Sequence, residues 1–329
     1  MKREYQLNRQ TAKTVANSFK KNLREQLNCG HSRSKKAALV ELSLQLSGFK
    51  QMLHDPARLQ AALADAAEAA QEPFVLPSDV ETHPGVVRIE KAKTPTVLLN
   101  AGATSGRVIL FLCGGAYFLQ PTKDHWHFLM NLADQVDAKI VVPQYPLAPT
   151  FHFDQAYAQL RKLYIELYTN HPASQLTLMG DSAGGGLAAG FCEWLAEQGM
   201  PQPGKLVLIS PWLDLTLTNP LIEKYQANDA TLDVIGLRTV GRLWSGNTAV
   251  DDYRLSPING RVDQLKNVLV FAGTREIMFP DCMKFVKKLR QENVNVRSEI
   301  GRELYHEYPL TPIPEAQEAI QVIKQFCFN

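Results

Sequence analysis

Leu176-Thr177-Leu178-Met179-Gly180-Asp181-Ser182-Ala183-Gly184-Gly185-Gly186-Leu187-Ala188-Ala189 is the stretch on which the reading of this chain turns. Its first four residues read as a short buried strand and its last as the start of a helix. Between them stands Gly180-Asp181-Ser182-Ala183-Gly184, a G-x-S-x-G pentapeptide. A tight strand-to-helix turn needs glycines, because the serine sits in a strained conformation and neighbouring backbone must pass closely. Such a turn lifts the Ser182 hydroxyl clear of the backbone. It also aims the free N–H groups of the helix start at any negative charge developing beside it.

The surroundings supply the rest of an α/β fold. Short apolar runs occur at Val108-Ile109-Leu110-Phe111-Leu112, Ile140-Val141-Val142, Leu206-Val207-Leu208-Ile209 and Val268-Leu269-Val270-Phe271. Unbroken apolar strands of this length fit a sheet covered on both faces. Helix-length stretches lie near 123–135, 153–170, 183–198 and 281–292. Alternation of the two predicts βαβ units and a mostly parallel sheet, with ligands bound beyond the carboxyl ends of the strands.

The first 72 residues have a different texture. Leu39, Leu42, Leu46, Phe49 and Leu53 recur at helical spacing and predict one apolar stripe on one helix. Asp55-Pro56 reads as an N-cap followed by proline at the first helical position, opening an alanine-rich helix through Ala70. The expected organisation is a helical cap segment over 1–75 and a catalytic domain over 76–329, with the helical stretch 214–248 contributing to the cap.

Past the strand ending at Leu112 comes Cys113-Gly114-Gly115-Ala116-Tyr117. Consecutive glycines at a strand end leave N–H groups uncovered by side chains, the donors an oxyanion needs. Together with Tyr145-Pro146-Leu147-Ala148-Pro149, Gly180-Asp181-Ser182-Ala183-Gly184-Gly185, Ser210-Pro211-Trp212-Leu213-Asp214 and Leu255-Ser256-Pro257, this stretch resembles the hormone-sensitive-lipase-like family of α/β-hydrolases, which includes many bacterial esterases. The resemblance covers about residues 85–310. It departs from the family at Cys113, where a histidine thought to brace the oxyanion loop usually stands. A thiol is too weak a donor and acceptor to replace it fully. Cys113 is otherwise a small apolar residue at a strand end, with bracing supplied elsewhere.

The resemblance implies an acid and a base after the serine, in that order. Ser182 needs a base to take its proton, and the base needs a carboxylate to hold its tautomer. Glu276, after the strand Val268-Leu269-Val270-Phe271, stands where the family usually has aspartate. Asp281 is its rival and fits better as a cap for the following helix. His306, in the loop beyond the strand near 294–300, is the expected base. Gly114, Gly115 and Ala183 are the expected oxyanion donors. Tyr117, Trp212 and Asp181, in or beside the motifs, are expected to line the substrate pocket.

The 329 residues carry a net charge of +2, with 45% hydrophobic and 21% charged residues, a soluble globular profile with no polyanion partner. Residues 1–36 hold a net +8 and the remainder −6, so the basic N-terminal segment is a solvated lid face or an arm for an anionic lipid or a partner. No run is long and apolar enough for a membrane span, and no signal peptide is apparent. Cys29, Cys113, Cys192, Cys282 and Cys327 form no CxxC pair, which fits free thiols and a cytoplasmic location. His125-Trp126-His127 has a metal-like spacing but no third ligand in the sequence, so no metal is expected. Gly184-Gly185-Gly186 lacks the lysine of a phosphate loop. The expectation is a serine carboxylesterase for short-chain acyl esters, needing no cofactor. The rivals are an amidase or peptidase with the same triad and a non-catalytic small-molecule-binding protein of this fold. A homodimer is left open.

Overall fold

Eight strands make one sheet, in the spatial order β1-β2-β4-β3-β5-β6-β7-β8. They are β1 (Val87–Lys91), β2 (Thr94–Leu99), β3 (Val108–Leu112), β4 (Lys139–Pro143), β5 (Leu176–Asp181), β6 (Lys205–Ile209), β7 (Asn267–Gly273) and β8 (Val296–Gly301). The computed structural model describes residues 32–70 and 72–328. The β1–β2 and β2–β4 pairs are antiparallel, and β4, β3, β5, β6, β7 and β8 run parallel. The four apolar runs fall within β3, β4, β6 and β7.

The helices in chain order are α1 (Lys35–Leu46), α2 (Phe49–His54), α3 (Pro56–Ala69), α4 (Ser78–Glu81), α5 (Lys123–Ala133), α6 (Phe153–Asn170), α7 (Ser182–Glu197), α8 (Ile222–Gln226), α9 (Val234–Ser245), α10 (Phe279–Gln291) and α11 (Pro314–Phe328). Period-two alternation in β3 divides the core between the sheet's faces. Leu110 and Leu112 join Leu160 of α6, Leu187 of α7 and Leu289 of α10 on one face. Ile109 and Phe111 join Trp126 and Leu129 of α5 and Ile320 and Ile323 of α11 on the other. Both faces are therefore dry, which is why all five β3 side chains are buried.

The N-terminal region differs from its expected form. Gly48, at φ +80°, separates α1 from α2, so the single apolar stripe does not exist. Leu39 and Leu46 are exposed, while Leu42 and Leu53 are buried. The buried face of α1 is instead Ala37, Ala38, Glu41 and Leu42. Hydrophobic spacing misled because the strongest anchor on this helix is a charge. Glu41 is fully buried and receives Arg275 Nε and Arg33 Nη1, each at 2.7 Å. The expected Asp55 cap is present, accepting from the N–H groups of Ala57 and Arg58. Most of the basic segment 1–36 lies outside the described residues.

The 214–248 stretch packs on the N-terminal helices. Lys50 Nζ donates to the carbonyls of Gln226 and Asp229, at 2.5 and 2.7 Å. His54 Nδ1 lies 3.1 Å from Asp233 Oδ2. Gly236 fits so tightly against the Leu53 backbone that a β-carbon there would collide with it.

Removing one partner of a buried ion pair leaves the others uncompensated. Glu41→Ala is therefore expected to lower unfolding free energy by about 3 kcal/mol. Denaturant titration at constant pH checks this; a loss near zero would show that α1 is held by apolar contacts instead.

Candidate active site

β5 ends at Asp181 and α7 begins at the next residue, with Ser182 at φ +47°. The left-handed serine turns the chain without an intervening loop. Gly184 makes this turn feasible: a β-carbon there would collide with the carbonyls of Leu112 and Cys113 as α7 passes the end of β3. Ser182 is thus held at the carboxyl edge of the sheet, with the first N–H groups of α7 around it.

Ser182 Oγ lies 2.9 Å from His306 Nε2. His306 Nδ1 is hydrogen-bonded to Glu276 Oε2. Glu276 is fully buried, and its Oε1 accepts from the Gly273 N–H at 2.6 Å and the Ser210 hydroxyl at 2.9 Å. The loop bearing Glu276 is tied to the loop bearing His306, because Arg275 N–H donates to the Leu304 carbonyl. The structure thus brings Ser182, His306 and Glu276 into one chain of contacts. Asp281 stands apart from it. It is the third residue of α10 and accepts from Asn219 Nδ2 at 2.8 Å; the residue at the N-cap position is Met278.

Other assignments need correction. Asp181 is fully buried and does not line a pocket. Its Oδ2 accepts from the Gly114 N–H at 2.9 Å and lies 3.1 Å from His125 Nε2. The Gly114 N–H is therefore already engaged and unavailable to an oxyanion. Tyr117 and Trp212 are also buried rather than pocket-facing. Tyr117 stacks on Trp244, with ring centroids 4.6 Å apart, and packs against Trp212 at 5.6 Å. These rings are packed together in the core, where large apolar surfaces stabilise most.

Cys113 is buried against the apolar face that includes Trp126, and its carbonyl accepts from the Tyr145 hydroxyl at 2.5 Å. The Gly114 loop is braced instead by Asp181, which also meets His125. His125 carried no triad signal in the sequence, since its partner is 56 residues away. Ser210 and Glu307 were missed for the same reason. Ser210 lies in a recognised motif, but only the folded chain places its hydroxyl between Glu276 and the Glu307 N–H, which donates to it at 3.1 Å.

The electrostatics follow from burial and carboxylates. Burial would depress His306, but Glu307 and Glu276 outweigh it and push it up to about 9. Burial opposes the charged form of His125 too, yet Asp181 raises it to about 9. Burial would raise Asp181, but His125 dominates and lowers it. Burial, then Asp181, pushes Glu307 up to about 8. His125, Asp181 and Glu307 each bring a potential metal-ligand atom within 4.8 Å of the others. Asp181 Oδ2 already faces two donors, so the trio reads as a proton-sharing cluster. The four described cysteines, Cys113, Cys192, Cys282 and Cys327, are free and buried. Among the described residues no helix is long and apolar enough to cross a membrane.

A cavity of about 240 Å³ opens onto Ser182 and His306. Leu44, Ser47 and Phe49 from the N-terminal region and Thr231 and Leu232 from the 214–248 stretch form part of its wall. Gly115 and Glu307 face it from the sheet edge.

Residues 109–310 match the family model for the alpha/beta hydrolase fold. The chain belongs to the alpha/beta hydrolase family. It is 28% identical over 232 residues to an esterase of Acinetobacter venetianus, covering 69% of this chain and 77% of that one. It is 29% identical over 226 residues to an acetyl-hydrolase of Streptomyces hygroscopicus, covering 67% and 75%. Among solved structures, a putative esterase from Staphylococcus aureus superposes with a TM-score of 0.80 at 27% identity, covering 84% of this chain and 94% of that one.

The His125–Asp181 pair has a pH signature. A histidine raised from 6.5 to about 9 contributes stability that is complete below pH 6.5 and lost as pH rises through 9. His125→Gln is expected to be destabilised relative to wild type at pH 6 by on the order of 3 kcal/mol, with the gap closing by pH 10. Thermal unfolding across that range checks it; a gap that stays constant would mean the ring is neutral throughout.

Proposed function

We propose that Ser182, His306 and Glu276 are the nucleophile, base and acid of a serine carboxylesterase acting on short-chain acyl esters. The chain is an esterase-type hydrolase. The observation that supports the triad is the 2.9 Å approach of Ser182 Oγ to His306 Nε2, with Glu276 on the other ring nitrogen. Ser182 attacks the ester carbonyl as His306 takes its proton. The tetrahedral oxyanion is held by the N–H groups of Gly115 and Ala183. His306 then returns the proton to the leaving alcohol, and water releases the acyl group by the same steps reversed. Glu276 keeps Nδ1 protonated, so that Nε2 is the free base. No step calls for a cofactor.

The N-terminal helices and the 214–248 stretch act together as the cap over this site. Their side chains bound a cavity of about 240 Å³, below the roughly 300–1,000 Å³ of ordinary ligand pockets. That volume favours small acyl groups. The amidase reading shares every residue named and differs in leaving group; matched ester and amide substrates separate the two.

Ser182→Ala is expected to abolish ester turnover and fluorophosphonate labelling with the fold retained. Glu276→Gln follows a sharper argument. Two donors, Gly273 N–H and Ser210 Oγ–H, meet Oε1, so a glutamine must keep its oxygen there. Its NH2 then faces His306 Nδ1 and forces the wrong tautomer. kcat should fall by about 10⁴, as in the analogous aspartate change. If Asp281→Asn were the crippling change and Glu276→Gln mild, the acid would be reassigned.

Chain length gives a separate test. Turnover of p-nitrophenyl esters is expected to peak at short acyl chains and fall as tails lengthen. Each buried methylene adds about 0.8 kcal/mol of binding only where there is room for it. A steady rise through a dozen carbons would contradict a closed cavity.

A further inference from the structure

His306 is flanked by carboxylates on both ring nitrogens, and only one belongs to the triad. Glu276 serves Nδ1. Glu307 Oε1 lies 3.6 Å from Nε2, the nitrogen that faces Ser182 Oγ. Its placement is enforced by the backbone. Glu307 has φ +56° and ψ +31°, a left-handed conformation unusual for a residue with a β-carbon. Its N–H donates to Ser210 Oγ, and its carbonyl accepts from the Leu310 N–H at 2.9 Å. Ser210 thus links the backbone of Glu307 to the carboxylate of Glu276.

The space Glu307 enters is reserved for it. A β-carbon on Gly114 would lie 2.8 Å from Glu307 Oε1 and would also collide with the Asp181 carboxylate. Among the described residues, no N–H or hydroxyl is hydrogen-bonded to the Glu307 side chain. Asp181 Oδ1 is likewise buried without a donor. Asp181 Oδ1 therefore has no donor of its own, and a proton on Glu307 directed at Asp181 would supply one.

The charged groups around Glu307 come from several elements. Asp181 faces it from the end of β5 and His125 from α5, while His306 precedes it in its own loop. Asp124 of α5 borders the same cavity. Glu276 and Asp229 act on the same imidazole from the loops after β7 and before α9.

Given the triad reading above, on which this rests, we propose that Glu307 is a positioning carboxylate for the catalytic base: it faces the nitrogen that takes the Ser182 proton, stabilises the imidazolium formed there, and so raises the pH at which the base becomes available. When Glu307 is ionised, His306 keeps its proton. When Glu307 holds a proton shared with Asp181, its upward influence on His306 is removed, and those of Glu276 and Asp229 remain.

The test compares wild type, Glu307→Gln and Glu307→Asn, the last because asparagine tolerates a left-handed backbone well. The readouts are kcat/KM against pH with a short-chain ester, the pH dependence of fluorophosphonate inactivation, and the NMR titration of the His306 imidazole. The acid limb of both rate profiles, and the His306 titration, should move to lower pH by about 1–3 units in the variants, the usual effect of one opposite charge at this range. A merely structural role would lower the rate without moving the limb, and an unmoved limb in folded, active variants overturns the proposal. Wild-type His306 titrating at or below 6.5 overturns it as well, without any variant. Wild-type protein that neither hydrolyses esters nor labels with fluorophosphonate defeats the triad reading itself, a failure distinct from an unmoved limb.

Discussion

The left-handed serine between β5 and α7 is the constraint on which the rest of the site depends. A residue with a β-carbon at φ +47° is strained, and it persists only where its surroundings over-determine it. Here they do so from three sides. The last residue of β5 is locked into a parallel sheet beside β6. Gly184 lets α7 press against the ends of β3. The Ser182 carbonyl accepts from the Trp212 N–H at 2.8 Å, tying the turn to the loop after β6. Loosening any of these lets the hydroxyl relax toward the helix and away from His306.

A second layer of order is electrostatic. Asp181 and Glu276 are fully buried, and Glu307 sits partly buried beside Asp181 and His306. Buried carboxylates are tolerated only when donors or protons meet them. Glu276 meets a backbone N–H, a hydroxyl and an imidazole. Asp181 meets a backbone N–H and His125. Through Asp181 the loop that carries Gly114 is tied to a histidine on α5. The same logic reaches the N-terminal helices. Glu41 of α1 is held by Arg275, the neighbour in sequence of Glu276, so the N-terminal helix is anchored one residue from Glu276.

The sheet was legible because its strands are buried on both faces, which leaves unbroken apolar runs in β3, β4, β6 and β7. The helices between them showed by length, and the helix before the sheet by its Asp55-Pro56 cap. β1 and β2 were less visible. Their two-residue connection uses Ala92 and Lys93, both at positive φ, where Asn-Gly would have signalled a hairpin. α1 was misread because its anchoring face is built on alanines and a buried glutamate, so counting leucines selected the exposed side.

Ser182, Glu276 and His306 could be singled out from the chain alone because local pattern carries them: a glycine-framed turn, and two loops each following a strand in a known order. Their neighbours could not. Gly114 looked like a free donor until folding placed Asp181 against it. Tyr117 and Trp212 looked like pocket walls until they packed together in the core. His125 and Glu307 acquire their partners only across 56 and 126 residues of sequence. Burial and short hydrophobic period are local properties and are written along the chain. Hydrogen-bond partners and the fields that move a proton depend on distance in space, so the tertiary structure alone decides them.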